Sequence, residues 1–234
     1  MSDKTKNWRD RVIRYIRELI FGFEDSLVST LGAITGIAGG SQDSSIVILA
    51  GMVIIFVESI SMGAGTYLSS KSEREVVEET IRREKQTVKH DIEGEKQEIR
   101  EYLEARRFKS EEIEPIVERL ASDRGLLLEE MLLHEHNIIQ EPRARSVKRG
   151  LVMWGSYFVG GFFPVLPYLF LSVRSAFLPS ILATLIVLFL LGAFKTKFTG
   201  KSWYKSGFEM AVISLSAAGV GYVVGRIVAM SFGI

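Results

Sequence analysis

FGFEDSLVST, residues 21–30, sets Glu24 and Asp25 side by side in an apolar run, Leu19–Gly40, that carries no other charge. That run is long enough to cross a membrane, because a hydrocarbon core of about 30 Å takes roughly 20 apolar residues in a helix. A carboxylate deep in such a setting costs roughly 2.5–3.5 kcal/mol on insertion scales. It persists only where it has a function or lies at the polar edge. Asp25 lies about two turns inside the boundary, taking 3.6 residues per turn. Glu18, seven residues earlier, shares its face one step nearer the charged N-terminal tail. The bland reading of Glu18 and Glu24 puts them at headgroup level, satisfied by Arg17 or lipid.

Outward from this run, four further segments approach the same length: Ile46–Ser69, Leu151–Val173, Ala176–Phe194 and Phe208–Phe232. Any one of them would pass for a buried helix of a soluble protein; five in one chain predict an all-α membrane protein with five transmembrane helices. Pro164 and Pro167 predict a kink or break in the third. The chain averages conceal the contrast, with 234 residues, net charge +1 and mean hydropathy +0.19. Twenty of the 28 Asp and Glu fall between Glu73 and Glu141, beside twelve Lys and Arg and all three His. The organisation expected is a tail with spans one and two (1–70), a soluble helical insert (71–149) and spans three to five (150–234).

Lys and Arg set the orientation. They crowd the N-terminal tail (Lys4, Lys6, Arg9, Arg11, Arg14, Arg17) and the link after span four (Lys195, Lys197, Lys201, Lys205). GGSQDSS after span one has none, and the third-to-fourth link has only Arg174. With five spans this places the N-terminus and insert in the cytoplasm and the C-terminus on the far side. The charged start does not read as a signal peptide, and this compact N-terminus favours a prokaryotic cytoplasmic membrane. The absence of cysteine excludes disulfides and thiolate metal sites. Gly32 with Gly36 and Gly221 with Gly225 are GxxxG pairs that let helices approach closely and permit a dimer.

The insert reads as three helices. The first continues without a break from span two and is interrupted at Gly94; the second starts with Ser110 as its N-cap; the third is stopped by Pro142. Its glutamates include Glu84, Glu95 and Glu98 on one helix, with Met131 and Glu135 four apart on another. By spacing alone, glutamates among Lys and Arg are solvated surface, and His134-Glu135-His136 matches no zinc motif.

In the membrane, Glu58 of span two has Met62 one turn beyond it on the same face. Glu18, Asp25, Glu58 and Met62 therefore form a candidate polar path, its oxygens and single thioether suited to a divalent transition metal. No nucleophile elbow, phosphate loop or dinucleotide fingerprint is visible, so no enzyme is expected. The basic clusters are accounted for by topology, leaving no case for nucleic acid.

Three stretches then carry a resemblance. RELIFGFEDSL in span one, ESISMGAGTYLSSKSE closing span two and FVGGFFPVLPYLF in span three resemble the vacuolar iron transporter family. The order of two spans, acidic insert and three spans is similar too. The resemblance implies a proton-coupled carrier of divalent iron. It implies a five-span protomer in a homodimer, an ion path between protomers, and an insert that binds cytoplasmic metal. Asp25 matches the family's translocation aspartate, Met62 its soft ligand, and Glu18 its earlier acid. Glu84, Glu95, Glu98, Met131 and Glu135 match its insert ligands.

This sequence departs from the pattern in four places. Asp25 is followed by Ser26 in place of glycine, Ile54 stands where a span-two glutamate is expected with Glu58 one turn later, Thr87 replaces an insert glutamate, and Leu132 a methionine. Asp91, His90 and His134 are the neighbouring donors available to compensate.

The function expected is antiport of Fe2+ out of the cytoplasm against protons, with no permanently bound cofactor. Fe2+, Mn2+ or Zn2+ would be cargo or insert-bound ion, and the partners a second copy, protons and the bilayer. A Mn2+ exporter of the same mechanism is one rival; a membrane-anchored metal sensor without flux is the other.

Overall fold

The quoted stretch lies mid-way along α1 (Asp3–Gly40), which kinks at Tyr15 (φ −120°, ψ 15°) before entering its apolar part. The computed structural model describes residues 3–134 and 144–232, with side chains over 12–133 and 145–231. After α1 come α2 (Ser44–His90), α3 (Ile92–Ala105), α4 (Ser110–Ala121), α5 (Arg124–His134) and α6 (Ala144–Val165). A 3-10 turn (Leu166–Leu169) follows, then α7 (Val173–Thr199) and α8 (Trp203–Phe232). Every regular element among the described residues is helical.

Four of these helices are long and apolar enough to cross a membrane: α2, α6 with the following turn, α7 and α8. The fifth expected span, in α1, falls short by composition, because Glu24 and Asp25 offset its apolar residues. The break expected from the prolines is present. α6 stops at Val165 and passes into the 3-10 turn. Pro167 has no N–H to offer the carbonyl three residues back, that of Pro164, which accepts instead from Ser180 Oγ at 2.6 Å.

The chain forms two compact units, residues 1–68 with 146–234 and residues 69–145. In the first, α1 buries Leu27, Leu31 and Ile34 completely. Leu27 shares a core cluster with Leu188 of α7 and Met210 of α8, while Ile34 shares one with Ile55 of α2 and Val165. Lipid tails are as apolar as these side chains, so close packing drives this association more than escape from water.

The tightest approach is between α1 and α8. A Cβ built on Gly36 would come within 2.7 Å of the Gly221 carbonyl oxygen, and those on Gly221 and Gly225 would overlap the Gly32 and Gly36 carbonyls. The two GxxxG pairs thus pack against each other inside one protomer. The close helix approach expected from these pairs is thus made between α1 and α8.

The second unit has its own core of Val88, Ile99, Ile113, Val117, Leu127 and Met131. α2 runs 47 residues without a break, as expected from the missing stop signal after span two. The interruption then falls at Asp91, three residues before Gly94. Asp91 Oδ1 accepts from Gly94 N at 3.0 Å and caps α3. The cap of α4 is Lys109 and not Ser110; the Lys109 N–H donates to Glu112 Oε2 at 2.8 Å. A carboxylate three residues into a helix satisfies its first orphan donor as well as a hydroxyl at the cap would.

Arg100 joins α3 to α4 through Glu114, Nε to Oε1 at 2.7 Å. The hydrogen bonds from that guanidinium hold the Glu114 carboxyl below the usual glutamate range. A depressed folded pKa contributes stability above the unfolded value, about 4.3, and loses it as pH falls through the folded value. The bridge is exposed, so its effect is small. Amide exchange in α3 and α4, corrected for intrinsic rate, should lose protection between about pH 7 and about pH 3.5, the span that covers glutamate titration. In Glu114→Gln that loss should shrink; an unchanged loss would assign the acid sensitivity to another group.

Candidate ion-binding site

The apolar stripe of α1 that faces the core leaves Asp25 on its flank. Asp25 is half-buried, at one end of a groove of about 1240 Å³ between α1 and α8. Ser29, Gly32 and Gly36 continue the α1 wall; Ala217, Gly221 and Gly225 are on the α8 side. Asp25 is the only charged residue along this groove among the described residues. The two adjacent acids divide by helical geometry, since neighbours on a helix point about 100° apart at 3.6 residues per turn. Glu24 feels Lys195 of α7, Glu209 of α8 and the adjacent Asp25, with Lys195 the attracting charge among them.

Glu58 is the other charged group that acts on Asp25. It rises from α2, half-buried, in line with Ile54 and Met62, which are half-buried one turn before and one turn after it. The Tyr157 hydroxyl of α6 donates to Glu58 Oε2. Ser29 Oγ stands 3.4 Å from the same oxygen and 2.6 Å from the Tyr157 hydroxyl. Ser29 is one turn beyond Asp25, so it belongs both to the groove wall and to the Glu58 cluster.

Of the four residues read as a path, Asp25 and Glu58 are therefore neighbours, and Met62 stands one turn from Glu58. Glu18 is elsewhere. It is buried, it lies outside the groove lining, and its Oε1 is 3.5 Å from Arg149 Nε on α6. Its bland partner in the sequence reading, Arg17, is replaced by Arg149. Burial of a carboxylate requires such a partner, but its identity depends on how α1 and α6 pack.

The insert places its candidates less compactly. Glu84 and Glu95 are buried, Glu98 is exposed, and Met131 is fully buried within the apolar core. Glu135 lies outside the described residues, as do His136 and Pro142. Leu132 is buried, Thr87 exposed with its hydroxyl 3.3 Å from the Arg83 carbonyl, and Asp91 occupied as the cap of α3. Among the described residues no three His, Cys, Asp or Glu side chains converge to hold a metal ion. Asp25 and Glu58 are thus two neighbouring carboxylates with no third such group beside them among the described residues.

Residues 16–226 match the VIT family. The chain belongs to the VIT family. "Vacuolar iron transporter 1" of Oryza sativa subsp. japonica is 30% identical over 208 residues, covering 88% of this chain and 82% of that protein. The Arabidopsis thaliana protein of the same name is 30% identical over 214 residues, 91% of this chain and 86% of that one. "Vacuolar iron transporter" of Plasmodium falciparum (isolate 3D7) is 27% identical over 220 residues, covering 90% and 81%.

Family membership and the apolar helices make this a membrane protein. These relatives come from plants and a parasite and lend no support to a prokaryotic membrane. Two residues that meet Glu58 escaped the sequence reading, Ser29 and Tyr157. A signal for them existed: each is a hydroxyl inside an otherwise apolar span, and Ser29 lies one turn from Asp25.

Proposed function

We propose that this VIT-family protein is a homodimeric secondary transporter that moves Fe2+ out of the cytoplasm in exchange for protons. The observation that carries the reading is Asp25 at the end of the α1–α8 groove with Glu58 acting on it. Carboxylates at membrane depth are costly, and ion pathways are where they are retained. A carboxylate binds either a metal ion or a proton, so the same group supports exchange of one for the other. The names of the relatives support iron as cargo.

In this reading α1 is the fifth span, the N-terminus and insert face the cytoplasm, and the C-terminus lies opposite, in keeping with the Lys and Arg distribution. Asp25, Glu58 and Met62 hold the ion in transit, and Glu18 with Arg149 closes the cytoplasmic end. Glu84, Glu95, Glu98, Met131 and Glu135 of the insert gather or sense the metal before transport. A second copy seated on the α1–α8 groove supplies another Asp25, which completes an oxygen set that one protomer leaves short. No enzymatic step is assigned.

The hard oxygens of Asp25 and Glu58 also suit Mn2+, and a Mn2+ exporter of the same mechanism is the alternative. The test is flux into proteoliposomes with and without a pH gradient, Fe2+ and Mn2+ separately and in competition. Gradient-dependent Fe2+ uptake that Mn2+ fails to suppress supports the reading. Dominant Mn2+ flux assigns the alternative cargo. Metal binding with no flux of either ion, from folded dimer, overturns transport in favour of a membrane-anchored sensor.

A further inference from the structure

Glu58 stands one turn from the position where the resemblance led us to expect a glutamate, and it is held there by the Tyr157 hydroxyl of α6, which Ser29 of α1 backs in turn. A hydroxyl has one proton to give. Tyr157 gives its proton to Glu58 Oε2, so at the 2.6 Å contact Ser29 is the donor and the Tyr157 oxygen the acceptor. The result is a directed chain from Ser29 through Tyr157 to one oxygen of Glu58. Tyr157 is fully buried, which leaves its ring no room to swing. A hydrogen bond to a charged acceptor is also among the stronger kinds.

We propose that Tyr157 and Ser29 are positioning residues that commit Glu58 Oε2 and leave Oε1 as a single-oxygen ligand, and that this clamp selects against large divalent cations. The proposal rests on the reading above that Glu58 lies in the ion path. Large hard cations such as Ca2+ take six to eight oxygens and readily use both oxygens of a carboxylate. A carboxylate whose Oε2 is held by a buried hydroxyl donor has lost lone-pair capacity and the freedom to turn both oxygens toward one ion, so two-oxygen chelation is disfavoured. A smaller transition ion needs fewer ligands and accepts one oxygen together with a thioether such as Met62. Without the clamp, Glu58 would turn to offer both oxygens, and discrimination would fall.

The experiment compares Fe2+, Mn2+ and Ca2+ flux, each alone, in proteoliposomes holding wild type, Tyr157→Phe, Ser29→Ala, Ser29→Thr or Glu58→Gln. Monodisperse elution and an unchanged helical signal serve as the folding control. The Ca2+-to-Fe2+ flux ratio should rise about tenfold in Tyr157→Phe, the scale of one hydrogen bond to a charged group. It should rise less in Ser29→Ala and return to wild type in Ser29→Thr, which keeps the hydroxyl. A purely structural role would lower all three fluxes together and leave the ratio alone, and that result overturns the clamp. If Glu58→Gln abolishes flux while both hydroxyl deletions keep the wild-type ratio, the path stands and the clamp is wrong. If Glu58→Gln transports like wild type, the placement of Glu58 in the path fails and the clamp fails with it. Should Tyr157→Phe not fold, Ser29→Ala alone decides by the same ratio.

Discussion

Asp25→Ala should abolish gradient-driven metal flux, lowering it about 100-fold or more, the scale of roughly 3 kcal/mol of ion binding, while the protein folds at least as well as wild type. The second half of the result follows from the same physics as the first. Asp25 sits at the mouth of an apolar groove on a membrane helix, half-buried, with Glu58 as the charge acting on it. Neither burial nor a second carboxylate favours an aspartate there, so removing it relieves a cost that the fold bears. Melting temperature in detergent should hold or rise as flux disappears. Glu24→Gln, one residue away, is the control for flux. Glu24 lies outside the groove lining, with Lys195 attracting it and Glu209 and Asp25 opposing it, so its loss should leave flux largely intact and melting little changed. Preserved flux in folded Asp25→Ala would remove the groove carboxylate from the mechanism.

The second large effect is expected at α8. Gly221→Ala and Gly225→Ala each force a methyl group into a carbonyl of α1, Gly32 for one and Gly36 for the other. The obstructing atoms are backbone, so no rotamer change relieves the overlap, and the helices must separate. Overpacking of this kind costs about 1–3 kcal/mol and occasionally more. For a chain of this size each kcal/mol lowers the melting temperature by roughly 2–4 °C. Gly219→Ala is the control. It lies on the same helix, carries the same change in propensity, and has nothing within 4 Å of its added Cβ. Melting should fall in the first two variants and hold in the third. Unchanged melting in all three would mean that the α1–α8 contact contributes little to the fold.

Asp25 and the α8 glycines also mark where sequence reading reached and where it stopped. FGFEDSLVST announced a membrane helix with costly acids, and hydropathy with charge segregation marked the other apolar runs and the acidic insert. The unbroken passage of α2 out of its apolar part and the break after Val165, between Pro164 and Pro167, were legible as well. Each is a sum over residues adjacent in the chain, because helix formation, membrane insertion and proline's missing N–H act on local backbone. Cap positions were off by one to three residues, since Asp91 accepts the Gly94 N–H and so starts α3 early, and Glu112 accepts the Lys109 N–H one residue before Ser110.

Only the tertiary structure decided which side chains meet. GxxxG at 32–36 and at 221–225 declared two surfaces able to approach closely, but not that each would be the other's partner. Glu18 demanded a cation, and only the packing of α1 on α6 selected Arg149 over the adjacent Arg17. Glu58 received its hydroxyls from Ser29 and Tyr157, the latter 99 residues away. Periodicity fixes which residues share a face of one helix. Which faces then pack is set by shape and small-residue complementarity among several helices at once, and no local pattern encodes that choice.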